Sequence, residues 1–103
     1  VREPLSEELI ELVVRRLRVV AEPNRIALLA ELNDGEASVE ELADRLGLPH
    51  QNASRHLVLL WREGILARRS ERRKTLYRVA DWGAWWVIEQ VAGSLRQASH
   101  STN

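Results

Sequence analysis

The sequence predicts a mainly α domain with one small β-hairpin, in the order four helices, hairpin, helix. Three observations carry that prediction. Apolar residues recur at the three- and four-residue spacing of a helix in five separate stretches. Gly, Pro and Asn punctuate the joins between those stretches. Between Ile65 and Val79 the helical spacing gives way to short extended runs around Glu71-Arg72-Arg73. A chain of 103 residues holds one domain with a modest core. Residues 1–92 read as that domain, and residues 93–103, small and polar, as a short C-terminal tail.

The elements follow in order. Leu5, Leu9, Leu12, Val13 and Leu17 set an apolar stripe on a helix from Ser6 to about Val20. Pro23 stands where a second helix can begin, and Ile26, Leu28, Leu29 and Leu32 carry it to a stop at Asn33-Asp34-Gly35. Ser38 with Glu41 three residues on is a capping box, launching a short helix through Leu42, Ala43 and Leu46. Gly47 ends it, and Pro49 opens a helix that runs to Arg62 or Glu63 before Gly64. The hairpin lacks the Asn-Gly or Asp-Gly signature of a two-residue turn, which leaves its loop geometry open. Asp81 is the cap of a final helix through Trp85, Ile88 and Val91 or Ala92.

Composition narrows the chemistry. No cysteine is present, which excludes disulfides, thiolate metal ligands and thiol nucleophiles. No apolar run has the length of a membrane span and the acidic start does not resemble a secretory signal, so a soluble cytoplasmic protein is expected. Formal net charge is zero, yet the charges are segregated. Residues 1–50 hold six basic and eleven acidic side chains, residues 51–103 nine and four. The stretch from Arg68 to Arg78 sets six cations against the single Glu71. A polyanion responds to such a face rather than to the total.

The segment from Leu42 to Leu57 is the most informative. Two short helices cross at a tight angle only with a small residue at the contact and a joint that tolerates an unusual backbone angle; Ala43 and Gly47 meet those needs. With Leu42, Leu46 and Leu48 packed against Ala53 and Leu57, the residues Gln51, Asn52, Ser54 and Arg55 must face largely outward near the N-terminal half of their helix. That set suits a DNA major groove: Gln and Asn match adenine's edge, Arg grips guanine twice, and Ser takes a base or a phosphate. Any solvated helix also shows polar residues, and the neighbouring turn and basic hairpin are what favour the groove. Asn52 remains open between base reader and helix-start cap.

The stretches "AEPNRIALLAEL", "SVEELADRLGLPHQNASRHLVLLWREGIL" and "ARRSERRKTLYRVAD" resemble the winged helix-turn-helix repressors of the ArsR/SmtB family across roughly residues 5–92. The resemblance implies a homodimeric repressor of an inverted-repeat operator in double-stranded DNA. The helix from Pro49 would read bases, and Arg68, Arg69, Arg72, Arg73, Lys74 and Arg78 would form a wing on the phosphate backbone. His50 and His56 fall on the same side as backbone contacts, with a partly buried, locally bonded histidine the competing account of His56. The family's usual wing-tip glycine is replaced by Glu71-Arg72-Arg73-Lys74, which leaves the wing's path open. Leu5, Leu9 and Leu12 of the first helix and Trp82, Trp85 and Trp86 of the last are the expected dimer seam, with burial inside one chain as the alternative.

The family's metal motifs are missing. Its thiolate stretch corresponds to Ala37-Ser38-Val39-Glu40-Glu41-Leu42, and Gly83 stands where the last helix carries a ligand. No metal and no cofactor are therefore expected, and any effector is an unidentified small molecule or protein. Trp61 is a candidate lining residue of an apolar pocket for it, with packing between helices as the plainer explanation. An enzyme is not indicated: no phosphate-cradling loop occurs, and Ser54 and His56, two apart on a helix, point in different directions. The alternative function is a winged-helix protein-interaction module without operator binding, suggested by the neutral total charge and the tryptophan-rich last helix.

Overall fold

The structure is a computed structural model that describes residues 3–101, with side-chain surroundings for 3–99. Among these residues the chain forms α1 (Glu7–Val20), α2 (Pro23–Leu32), β1 (Ala37–Ser38), α3 (Val39–Leu46), α4 (His50–Arg62), β2 (Leu66–Glu71), β3 (Lys74–Val79) and α5 (Trp82–Ser101). This is the predicted winged helix-turn-helix arrangement with two additions. Ala37 and Ser38 pair antiparallel with Tyr77 and Leu76, so the hairpin becomes a three-stranded sheet in the order β1-β3-β2. The last helix continues through Gly93 to Ser101 instead of ending at Val91 or Ala92. Ala84, Ile88, Val91 and Leu95 keep helical spacing across that glycine, and a single glycine costs a helix only about 1 kcal/mol.

Local chemistry sets the boundaries. The Ser6 hydroxyl accepts the Leu9 N–H at 3.1 Å to start α1. The Glu22 carboxylate accepts the Arg25 N–H at 2.9 Å ahead of Pro23. Ser38 and Glu41 form the predicted capping box, each side chain accepting the other's backbone N–H at 3.2 Å. Both helices of the central pair close in the same way. Gly47 (φ 65°) and Gly64 (φ 79°) take the left-handed conformation, and the next residues, Leu48 and Ile65, donate back to Ala43 and Leu60 at 2.9 and 3.0 Å. The Asp81 carboxylate accepts the Gly83 N–H at 3.0 Å and caps α5 as expected.

The core lies where α2, α3 and α4 meet the sheet. Leu28, Leu29, Leu42, Ala53, Leu57, Leu60 and Ile65 are wholly inaccessible, and each large one is worth roughly 1.5–3 kcal/mol of burial. Leu46 and Leu48 pack at its edge. Tyr77 and Val79 are buried from one strand, as their shared face requires. Helix α1 is attached differently. Of its residues only Val20 is buried, and ion pairs from Arg15 to Glu63 and from Arg16 to Asp81 tie it to the end of α4 and the cap of α5. Leu5 and Leu12 stay 65 and 61% exposed. Among the described residues no helix is long and apolar enough to cross a membrane.

Candidate nucleic-acid interface

Burial of Ala53, Leu57 and Leu60 fixes how α4 is rolled, and the rest of the helix follows. Gln51, Asn52 and Arg55 are exposed, and Ser54 is half-buried beside them. A concavity of about 750 Å³ runs along this face, and Arg25 of α2 joins Gln51, Asn52, Ser54 and Arg55 in lining it. Asn52 does not cap the helix. Pro49 holds the cap position without a side-chain bond, and the Asn52 amide oxygen instead accepts Arg55 Nη2–H at 3.1 Å.

His50 and His56 are engaged within the chain. His56 is half-buried, with Nδ1 3.3 Å from Arg25 Nη1 and 3.7 Å from Glu22. Arg25 also donates from Nε to the Val19 carbonyl at 2.5 Å, so it joins the end of α1 to α4. Burial works to raise the Glu22 carboxyl, but the Arg25 and Asn24 backbone N–H groups and the nearby His56 and Arg25 charges outweigh it and hold it below 4.5. His50 Nε2 lies 3.5 Å from Glu40 Oε1 on the surface, linking α4 to α3.

The wing sorts its six cations into two kinds. Arg68 lies over the Trp61 ring, 3.4 Å from its centroid, and Nη1 reaches the Tyr77 hydroxyl at 3.4 Å. Arg69 binds the Glu36 carboxylate twice, at 3.1 and 2.5 Å, and Glu71 at 3.1 Å. That hydrogen bond from Arg69 is the main cause holding the Glu36 carboxyl below its usual value. Arg72, Arg73, Lys74 and Arg78 are exposed and have no ion pair among the described residues. Arg72 and Arg73 form the turn, with φ of 48° and 71°. Two positive φ angles in a two-residue loop are the pattern of a type I′ hairpin, here built without glycine or asparagine. A sequence lacking the usual signature nonetheless makes that turn.

Trp61 is half-buried against the core beneath Arg68, and it does not line the concavity along α4. Trp85 likewise packs on its own chain's core, its Nε1–H buried without a partner among the described residues. Trp82 and Trp86 are 52 and 61% exposed, and Leu5, ahead of α1, and Leu9 and Leu12 on it are exposed too. Among the described residues no three His, Cys, Asp or Glu are grouped to hold a metal ion, and the side chain of His100 lies outside them. Sequence reasoning missed Arg25, Glu22 and Glu36. Each acts on a partner distant in the chain, and only the Glu22–Arg25 spacing, that of a helix-start contact, left a trace.

A helix-turn-helix domain model matches residues 20–69. The HTH-type transcriptional repressor SmtB of Mycobacterium tuberculosis is 35% identical over 78 residues, which is 76% of this chain. The chain spans 58% of that protein's length. The biofilm growth-associated repressor of Agrobacterium fabrum is 34% identical over 86 residues, 84% of this chain and 74% of that protein. Among solved structures, the homodimeric winged helix-turn-helix DNA-binding domain of a possible ArsR-family regulator from Mycobacterium bovis superposes with a TM-score of 0.78. Its identity is 26%, with 96% of this chain and 94% of that one covered.

Proposed function

Because the chain belongs to the ArsR/SmtB family of winged helix-turn-helix transcriptional regulators, we propose that it is a homodimeric repressor reading an inverted-repeat DNA operator. The observation that carries the reading is the outer face of α4. Arg55, Gln51 and Ser54 share it with Asn52, and Arg55 has no carboxylate partner among the described residues. Arg55 grips a guanine through its paired donors, Gln51 meets an adenine, and Ser54 bonds base or phosphate. The uncapped start of α4 favours a phosphate close by.

Arg72, Arg73, Lys74 and Arg78 hold the backbone from the wing, whereas Arg68 and Arg69 brace the hairpin against Trp61 and Glu36. The exposed apolar residues of α1, with Trp82 and Trp86, form the seam between two copies, since so many large apolar side chains left exposed on two helices call for a covering partner. Two reading helices then stand roughly 34 Å apart, one turn of DNA. An effector, small molecule or protein, acts by preferring one geometry of the pair.

A mobility-shift titration on the DNA upstream of its own gene, at rising salt, tests this. Specific, salt-sensitive retardation is expected. Arg55→Ala should cost about 1–3 kcal/mol on the proper site and blur its preference there. Absence of binding to every operator-like duplex would favour the protein-interaction module instead, for which the exposed Trp82 and Trp86 are the supporting observation.

A further inference from the structure

We infer that Asn52 is a positioning residue for Arg55, so that the two serve one guanine together and Asn52 reads no adenine of its own. The inference rests on the operator-binding reading above and specifies how its central contact is built. Asn52 and Arg55 are three positions apart on α4, the spacing that brings side chains face to face. Arg55 Nη2 donates to Asn52 Oδ1 at 3.1 Å. A guanidinium only donates, so the amide must present its oxygen to Arg55 and its NH₂ away from it.

Two consequences follow from the donor inventory. Arg55 spends one of its N–H groups on Asn52, and enough remain to fork onto guanine O6 and N7. Asn52 is altered more. Reading adenine requires its oxygen to accept from the N6 amino group while its NH₂ donates to N7. With a guanidinium at that oxygen, an incoming amino donor meets a positive charge. What Asn52 still offers is its NH₂, which suits acceptors: guanine O6 and N7, thymine O4, or a phosphate.

The choice of partner also matters. Arg15, Arg16, Arg45 and Arg69 are each bound to carboxylates, which fix their direction and neutralise them. Arg55 is fixed by a neutral amide, keeping its direction and its whole charge for the duplex. A long side chain already aimed at the groove loses less freedom on binding than one free to wander.

The test is selection of binding sites from random duplexes, followed by sequencing, with the whole chain as wild type, N52A, N52D, R55A and N52A/R55A. Asn52→Ala should weaken discrimination at the same base pair whose guanine preference Arg55→Ala abolishes, by roughly two- to tenfold. It should add nothing further in the R55A background. Asn52→Asp keeps the accepting oxygen, so the guanine preference should survive while overall affinity falls from the added negative charge. Loss of preference at a different base pair, additive with R55A, would overturn the inference and make Asn52 a reader in its own right. Should the wild-type chain enrich no sequence at all, the operator reading fails first and this inference falls with it. Thermal melting of the variants, all on the exposed face, should match wild type.

Discussion

The wing turn offers a perturbation whose two effects have opposite signs. Arg72 and Arg73 sit at φ 48° and 71°, where an L-residue with a Cβ is crowded by about 1–2 kcal/mol. Replacing the pair by Asn-Gly gives the residues a type I′ turn prefers. Gly at position 73 removes that crowding but returns roughly 0.5–1 kcal/mol through the freer unfolded chain. Asn at position 72 relieves part of its crowding without that penalty. The net expectation is about 1 kcal/mol of added stability, read as a rise of about 4–8 °C in Tm for a chain of this size. DNA binding should move the other way. Every phosphate that the protein no longer neutralises makes the slope of log K against log salt shallower by about 0.9, so removing both arginines takes away nearly 2 per protomer. Calorimetry and fluorescence anisotropy between low and moderate salt measure the two effects on one preparation. An unchanged or lower Tm refutes the strain argument. A salt slope equal to wild type refutes the wing's hold on the backbone.

Gly47→Ala should destabilise by about 1 kcal/mol in urea denaturation, with Asn there costing less. An added Cβ would meet nothing within 4 Å, so backbone conformation alone is responsible. Leu12→Glu combined with Trp86→Glu should give a folded monomer in analytical ultracentrifugation and remove operator binding, with the helical circular dichroism kept. Acid should loosen the fold. Hydrogen bonds from Arg69 and Arg15 hold Glu36 and Glu63 below the usual 4.5, so the folded state binds these protons less readily than the unfolded chain. Their contribution is present above about pH 4.5 and lost as pH falls through the folded-state values, which melts from about pH 7 to 3 should reveal. A Tm flat across that range would contradict the pairing.

Much of the fold is written in local chemistry. Ser38, Glu41, Gly47 and Asp81 announce helix ends because capping involves partners only a few residues away. The roll of α4 is equally accessible, since Ala53 and Leu57 alternate with the polar row at helical spacing. β1 is not, because two residues carry no periodicity and become a strand only through pairing with Leu76 and Tyr77. The end of α5 is hidden because Gly93 and its polar neighbours look like a tail, while the stripe through Leu95 is sparse. Within the site, side-chain types suggest six equivalent wing cations. Their division depends on Trp61 and Glu36, which the fold brings to Arg68 and Arg69 from distant positions.

Methylation interference tests the central contact most directly, because a methyl group on guanine N7 blocks the atom that Arg55 is held to grip. On duplexes selected by the wild-type chain, interference should appear at guanines in two half-sites about 10 base pairs apart, and vanish from those guanines with Arg55→Ala. Interference that is absent, or that persists unchanged in the variant, would contradict the account.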